Sequence, residues 1–317
     1  RFGLALLLRS ERMKRNLLET EIGSVMPEVL VRGVRINYET IGSSGSWIAL
    51  TPGSRRPYDE LINLANAIAR SNYRVLLHDR RNCGASEVAF DSSTSEHEIW
   101  ADDLYALGQI LGALPLYVGG SSAGARLAIL YAIRHSDGLR GLTLWRLTGG
   151  QEAVDRLAKN YYGQFIRMAM EGGMEAVARS EHFSECIRAR PANRERLLQT
   201  DVQHFIKTMS YWRECFLQST NLPIVGATEA DLSSIKAPAC VIAGNDVIHT
   251  PQTARKAASL IPNSELHDNV VERRSDDNLL KEWNRKEWRD AEPRMAEIFA
   301  SFLRKAETDR SESERKQ

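Results

Sequence analysis

The glycine-flanked serine at position 122 constrains the fold of this 317-residue chain more than any other feature. An apolar run ending at Val118 predicts a buried strand, and residues 127–133 have the composition of a helix. Gly120 and Gly124 would let the strand reverse sharply into that helix, so we expect the Ser122 hydroxyl on an exposed, strained elbow. The helix N terminus would direct free N–H groups at whatever the serine attacks. A plain glycine-rich turn is the alternative interpretation.

Strand-like and helix-like segments alternate along the first half of the chain. Segments with helical period at residues 58–70 and 95–111 lie between continuously apolar runs, which are typical of strands buried on both faces. This alternation predicts a mostly parallel sheet covered by helices on both sides. Besides the strand before Ser122, the predicted strands of this half are residues 28–31, 34–39, 47–51, 73–77 and 141–145.

The alternation stops at residue 150, and the next segment offers helices only, rich in aromatic and methionine side chains. Strands resume at residues 239–243 and 264–267, followed by an amphipathic helix at 292–305. The predicted units are an N-terminal extension (1–25), the first part of the sheet domain (26–150), a helical insertion after the sixth strand (151–228), the second part of the sheet domain (229–306) and a disordered polar tail (307–317).

Composition excludes several classes of function. The 42 Lys and Arg residues nearly balance the 41 Asp and Glu residues, which argues against recruitment to nucleic acid or an anionic membrane. Four widely spaced cysteines without a C-x-x-C pair argue against a disulfide framework or a zinc site, and a cytoplasmic location fits them best. We predict a small-molecule substrate, no cofactor and no metal, with a homodimer as one possible assembly.

Several motifs appear in the order that is found in the α/β-hydrolase superfamily, and the chain resembles this family over residues 27–305. They are the elbow at Ser122, the turn beginning at Asp79, the Thr51–Ser54 segment after the third strand and the Gly244-Asn245-Asp246 ending of a late strand. The helical insertion falls where these enzymes carry a cap over the active site. The resemblance therefore implies an α/β fold with a mostly parallel hydrolase sheet, flanking helices and an inserted helical cap.

The resemblance also assigns roles to individual residues. Ser122 would be the nucleophile, and an adjacent base must activate it, because an ordinary serine hydroxyl is a weak nucleophile. The N–H groups of Ser54 and Ala123 would form the oxyanion hole. Asp246 would orient the catalytic base and stabilise its charged form.

The position of the base is open at this stage. The family order of serine, acid and histidine predicts a histidine near residues 272–276, where this chain has none. Three alternatives follow: His249, three residues after Asp246; His267, which requires a short last strand; or no histidine base. Whichever histidine serves must come within about 2.6–3.2 Å of the Ser122 hydroxyl.

Two further residues are candidates for the substrate pocket. Arg55, which with Arg56 follows the oxyanion loop, could bind a substrate carboxylate, or it could be a solvated loop charge. Trp145, at the end of a strand, could form the pocket wall or belong to the core. We predict a carboxylesterase-like serine hydrolase for an ester, thioester, lactone or activated C–C bond. The alternative is a small-molecule binding protein or a non-hydrolytic lyase on the same fold.

Overall fold

The computed structural model of the protein describes residues 27–271 and 285–315. Their strands form one eight-stranded sheet with the order β1-β2-β4-β3-β5-β6-β7-β8, in which the β1–β2 and β2–β4 pairs are antiparallel and the other five pairs are parallel. The predicted mostly parallel sheet is therefore confirmed. The strands are β1 (Glu28–Val31), β2 (Val34–Ile41), β3 (Trp47–Thr51), β4 (Arg74–His78), β5 (Leu116–Ser121), β6 (Leu139–Trp145), β7 (Ala239–Ile242) and β8 (Ser264–His267).

Helices cover both faces of this sheet. In β3, Ile48 and Leu50 pack into one apolar cluster and Ala49 into the other, so the strand is buried on both sides. Each large apolar side chain buried in this way contributes about 1.5–3 kcal/mol. The helices of the sheet domain are α1 (Ile62–Ala69), α2 (Glu96–Ile110), α3 (Ala123–Arg134), α9 (Glu229–Ser234), α10 (Pro251–Leu260) and α11 (Arg285–Arg315).

The helical insertion, residues 151–228, contains five α-helices and no strand, as its sequence predicts. They are α4 (Gln151–Ala158), α5 (Gln164–Ala178), α6 (Glu181–Ala189), α7 (Ala192–Gln199) and α8 (Val202–Leu217), and a π-helical turn (Lys159–Gly163) joins α4 to α5. Their aromatic side chains pack mainly on one another in a separate apolar cluster that includes Phe165, Phe183, Phe205 and Trp212. Most of the aromatic residues of the helical insertion therefore stabilise the insertion itself.

The C-terminal helix is longer than its sequence suggests. We predicted a helix over residues 292–305 and a disordered tail from 307, whereas α11 continues to Arg315. The Thr308 and Ser311 hydroxyls donate to carbonyl oxygens one turn earlier, and the Tyr73 hydroxyl donates to Glu307. These local contacts extend a helix that lacks apolar residues near its end. The predicted N-terminal extension and the loop at 272–276 lie outside the described residues.

None of the helices in the described part of the chain combines the length and apolar character that crossing a membrane would require.

Candidate active site

The elbow around Ser122 is strained, and its two glycines explain how the chain tolerates it. Ser122 stands between the end of β5 and the start of α3 with φ 52° and ψ −106°, a conformation that costs a non-glycine residue about 1–3 kcal/mol. A Cβ atom at Gly120 would lie 2.4 Å from the Gly124 carbonyl carbon, and one at Gly124 would lie 2.1 Å from the Thr51 carbonyl oxygen. Only glycine lets these backbone segments approach so closely.

A second tight turn follows β7 and is organised by a single carboxylate. Asp246 Oδ1 accepts hydrogen bonds from the backbone N–H groups of Ile248, at 2.9 Å, and His249, at 2.8 Å. The chain then enters α10, where Thr250 caps the helix and Pro251 takes its first position. Because both N–H bonds end on one oxygen, the turn folds the His249 imidazole back onto the carboxylate that organises it.

The two turns bring Ser122, His249 and Asp246 into contact. His249 Nε2 lies 2.9 Å from Ser122 Oγ, and His249 Nδ1 lies 2.9 Å from both carboxylate oxygens of Asp246. With its proton on Nδ1, facing the carboxylate, the imidazole accepts a hydrogen bond from the serine hydroxyl through Nε2. All three side chains are buried. This arrangement can activate a serine hydroxyl for attack on a carbonyl carbon.

The electrostatic surroundings keep the imidazole neutral and the carboxylate charged. Burial lowers the pKa of His249 to about 4, with help from Arg146 and against the opposing effect of Asp246. Burial alone would raise the pKa of Asp246, but His249, Arg146 and the backbone N–H bonds lower it well below its usual range. At neutral pH the site therefore holds a neutral base beside an ionised acid.

Arg146, which the sequence analysis did not identify, lies directly against this pair. It follows the last residue of β6, has φ 55°, and places Nη2 3.3 Å from Asp246 Oδ2 and 3.5 Å from His249 Nδ1. The contact to Nδ1 joins two donors when that nitrogen carries the proton, so it acts through charge and not as a hydrogen bond. Its position after the carboxyl end of a parallel strand was a usable signal, because ligands bind at that edge of such sheets.

The two predicted oxyanion donors come from different parts of the chain. Ala123 is the residue after Ser122, and Ser54 follows β3, the strand that pairs with β5. Ala123 is the first residue of α3, so its N–H has no acceptor within the helix. Ser54 follows Gly53, and a Cβ atom at Gly53 would lie 3.3 Å from Ser122 Cβ. Ser54 itself has φ 47°. The assignment of both N–H groups to an oxyanion hole stays a prediction.

Arg55 is not a solvated loop charge. It is buried and forms a two-point ion pair with Glu96 of α2, with Nη1 and Nη2 2.6 and 2.7 Å from the carboxylate oxygens. Its Nη2 also contacts the Tyr161 carbonyl oxygen at 3.3 Å, and the Tyr162 hydroxyl donates to Glu96 at 3.2 Å. A solvated Arg55 is therefore wrong, and Glu96 already compensates its charge, while a place for Arg55 in the substrate pocket stays a prediction.

Trp145 is a core residue that also borders a cavity. Its ring packs 5.5 Å from that of Phe299 in α11, and its side chain lines a cavity of about 380 Å³ together with Ser121 and Arg146. A second cavity, of about 810 Å³, lies between the oxyanion loop at Ser54 and the helical insertion. The first cavity therefore reaches Ser121, next to Ser122, and the second reaches Ser54.

His267, the alternate base, is engaged elsewhere. It is the last residue of β8, pairs with Ile242 in the sheet, and has its Nε2 3.1 Å from Glu265 Oε1. Its ligand atoms group with those of Cys240 and Glu265 within 4.8 Å, the one cluster of potential metal ligands found in the described ranges. Lys305 Nζ already lies 3.6 Å from the Glu265 carboxylate. His249, and not His267, contacts Ser122.

Relatives of this chain include enzymes of several kinds. It is 30% identical over 149 residues to an uncharacterised hydrolase, YraK, of Bacillus subtilis (strain 168), an alignment covering 44% of this chain and 54% of that protein. It is 23% identical over 272 residues to a proline iminopeptidase of Lactobacillus helveticus (strain DPC 4571), covering 73% of this chain and 86% of that enzyme.

The fold is also found in solved structures. The enol-lactonase from Burkholderia xenovorans LB400 superposes with a TM-score of 0.58 at 20% identity, over 87% of this chain and 99% of that structure. At this identity the likeness concerns the fold alone. The family model described as "alpha/beta hydrolase fold" matches residues 51–271, a span that includes the elbow, the helical insertion and the turn that holds Asp246 and His249. The chain belongs to the α/β-hydrolase superfamily.

Proposed function

We propose that this protein is a serine hydrolase that cleaves an ester, thioester, lactone or activated C–C bond through an acyl-enzyme on Ser122. The observation that carries the proposal is the 2.9 Å distance between His249 Nε2 and Ser122 Oγ, with Asp246 on the opposite side of the imidazole. A candidate base must lie within about 2.6–3.2 Å of the proton-bearing atom, and this distance meets that requirement.

In the proposed acylation, Ser122 Oγ attacks the carbonyl carbon while its proton passes to His249 Nε2. The N–H groups of Ala123 and Ser54 stabilise the negative charge that develops on the carbonyl oxygen; losing one such donor costs about 2.7–4 kcal/mol in other hydrolases. The imidazolium, held by Asp246, then protonates the leaving group, and the carbonyl reforms as an ester to Ser122.

In the proposed deacylation, a water molecule attacks the acyl carbon and gives its proton to the neutral His249. The tetrahedral intermediate collapses, Ser122 Oγ leaves and takes the proton from His249, and the free acid is released. Each proton that the imidazole accepts is returned in the same half-reaction, so the protein ends unchanged. The low pKa of His249 favours its return to the neutral form after each step.

The contact between His249 and Ser122 favours a hydrolase over a binding protein on the same scaffold. The binding hypothesis rested on the missing histidine at residues 272–276, and His249 supplies an imidazole from another position. The strained conformation of Ser122 marks this position as a functional site, because such strain is costly and concentrates at functional sites.

A fluorophosphonate probe tests the proposal. We expect a covalent adduct on Ser122 in the folded protein, located by mass spectrometry, and no adduct in the Ser122→Ala variant. Ser121→Ala, at the neighbouring hydroxyl, is the matched control and should still be labelled. The proposal fails if folded wild-type protein resists labelling and hydrolyses no member of an ester, thioester and lactone panel.

A second candidate is an aminopeptidase that acts on an N-terminal proline. The alignment with the Lactobacillus helveticus proline iminopeptidase, which covers 86% of that enzyme, favours it. Proline β-naphthylamide separates the candidates: turnover faster than that of simple esters would favour the peptidase. Both candidates share the Ser122 nucleophile, so the labelling experiment applies to each.

A further inference from the structure

The hydroxyl of Tyr161 is the starting point of a further inference, because it is buried and its O–H proton has no acceptor within hydrogen-bond distance among the described residues. Tyr161 lies in the π-helical turn between α4 and α5, a distortion that re-aims side chains and is frequent at functional sites. Its side chain lines the 810 Å³ cavity, whose opposite wall includes Ser54. A buried hydroxyl without a partner is costly, so it points to an acceptor that a ligand would supply.

Arg126 adds a buried positive charge beside this hydroxyl. Its backbone N–H donates to the Ser122 carbonyl oxygen, so it lies one turn into the helix that begins at the elbow. Its guanidinium lies 5.8 Å from the centre of the Tyr161 ring. Burial lowers the pKa of Arg126, and the nearby Tyr161 side chain opposes that shift. The Tyr161 hydroxyl oxygen is neutral, so it does not compensate the positive charge of Arg126. The O–H proton of Tyr161 still lacks an acceptor.

The hydrogen-bond partners of the Arg126 guanidinium are neutral. They are the Thr148 hydroxyl and His97 Nε2, and burial together with Arg126 lowers the pKa of His97 well below its usual range. In the part of the chain that the structure describes, no carboxylate forms an ion pair with Arg126. A buried cation left without an anion is strongly unfavourable unless a ligand compensates for it.

Arg146, which contacts Asp246 and lines the 380 Å³ cavity, is a second incompletely satisfied cation. Its Nε is buried without a hydrogen-bond partner in the described ranges, and its guanidinium interacts electrostatically with Tyr161. The carboxylate it contacts, Asp246, already serves His249 and two backbone N–H groups. Glu60, which also acts on Arg146, lies 3.5 Å from Arg56. Donors and positive charge therefore exceed acceptors around Ser122.

We propose that Tyr161, Arg126 and Arg146 form an anion subsite. The substrate of this enzyme then carries a carboxylate group in addition to the carbonyl group that Ser122 attacks. That the bound molecule is a substrate rests on the proposed hydrolase function. That it carries a carboxylate rests on the donors that lack acceptors. The Tyr161 hydroxyl and Arg146 Nε would donate to the carboxylate, and Arg126 would stabilise its charge from the elbow helix. A neutral acyl chain would leave these groups unpaired.

The test compares esters that differ in charge and not in shape. Monomethyl succinate, glutarate and adipate are assayed against the matching methyl esters in which an amide replaces the free carboxylate, with kcat/KM measured for each pair. We expect the carboxylate to be preferred at least tenfold for one chain length. Tyr161→Phe should lower that preference about tenfold, the value of one hydrogen bond to a charged group.

The controls separate charge recognition from general damage. Tyr161→Phe removes one hydroxyl group and leaves the side chains of Arg126 and Arg146 in place, so a folded variant with a lowered preference reports on the hydroxyl itself. Tyr105→Phe, at a surface hydroxyl that contacts Asp137, is the matched control and should leave the preference unchanged. Turnover of both esters at equal kcat/KM would overturn the subsite and leave the hydrolase proposal standing.

Binding to the Ser122→Ala variant tests the subsite without turnover. Calorimetry should detect binding of the preferred monomethyl ester and at least tenfold weaker binding of its amide counterpart. If the wild-type protein hydrolyses neither the monomethyl ester nor its amide counterpart and takes up no fluorophosphonate, the hydrolase proposal fails. The calorimetric comparison then decides the subsite on its own. Equal binding of the two compounds would refute it.

Discussion

The two turns that meet at the active site are built on different physical principles. The elbow at Ser122 depends on the absence of side chains, because backbone segments occupy the space that Cβ atoms at Gly120 and Gly124 would need. The turn at residues 246–249, the acid–base turn, depends on the presence of one side chain. Asp246 accepts hydrogen bonds from two backbone N–H groups and contacts the imidazole of His249. Steric shape fixes the first turn, and a hydrogen-bonding centre fixes the second.

This difference decides how each turn is expected to respond to mutation. In the elbow, the proposed nucleophile Ser122 and the glycines that shape the turn are different residues, so geometry and chemistry can be changed separately. In the acid–base turn, Asp246 both shapes the backbone and polarises the base. Four predictions test this contrast, from the largest expected effect to the smallest.

Removal of either reacting side chain should abolish most of the activity. We expect Ser122→Ala and His249→Ala each to lower kcat about 10⁶-fold, and the double variant to lose little more, because the two groups act as a unit. His267→Ala is the matched control and should retain activity, since its ring contacts Glu265 in β8. Ester hydrolysis under saturating substrate measures all four; full activity of His249→Ala would contradict the assignment of the base.

Asp246→Asn should separate the two roles of the acid–base turn. The side-chain carbonyl of the introduced asparagine can still accept both N–H bonds, whereas its amide group presents a donor to His249 and reverses the imidazole tautomer. We expect kcat to fall about 10⁴-fold with only a small change in melting temperature. Asp246→Ala removes the hydrogen-bonding centre as well and should lower both. Similar melting temperatures for the two variants would show that the carboxylate does not shape the turn.

Gly124→Ala should damage the elbow through sterics alone. The new methyl group would lie 2.1 Å from the Thr51 carbonyl oxygen, so β3 or α3 must move. We expect the free energy of unfolding to drop by about 1–3 kcal/mol, the usual cost of overpacking. Gly163→Ala is the control, because the nearest atom to its Cβ would be 3.8 Å away and its backbone is helical. Urea unfolding compares them; equal stability would argue against a sterically fixed elbow.

The pH dependence should report on the acid–base turn. Only the neutral imidazole can accept the serine proton, and the pKa of His249 is about 4, so kcat/KM should fall to half near pH 4 and stay level through neutral pH. Arg146→Gln removes a nearby positive charge, which makes protonation of His249 easier and moves this acid limb to higher pH. An unchanged limb would mean that Arg146 does not act on the base. Arg255→Gln, at an exposed ion pair with Asp268, is the control.

The sequence predicted the elbow at Ser122 and the position of Asp246 after a late strand, but it did not decide between His249 and His267. Glycine spacing around Ser122 and the buried strand before it are local signals, and the sheet confirms the strand that they predict. The choice between His249 and His267 could not be made, because it depends on how Asp246 folds the turn, which is a matter of backbone hydrogen bonds.

The surroundings of the elbow were harder to predict for the same reason. For Arg55 the sequence left open a substrate carboxylate or solvent as its partner, but the structure pairs it with Glu96, which is 41 residues away in the chain. Arg126 and Tyr161 carry no motif, and their significance lies in which partners they lack. Pairing and lack of pairing between distant residues are properties of the packed structure, so a single sequence contains no direct signal for them.

The ion pair between Arg55 and Glu96 has a consequence for how this enzyme can be re-engineered. The pair is buried between the sheet domain and the helical insertion, and it uses the Tyr161 carbonyl and the Tyr162 hydroxyl to complete its hydrogen bonds. An insertion grafted from another hydrolase would have to provide equivalent groups or leave a buried ion pair partly unsatisfied next to Ser54. Exchange of the insertion to change specificity should therefore retain residues 161 and 162, or replace Arg55 and Glu96 together.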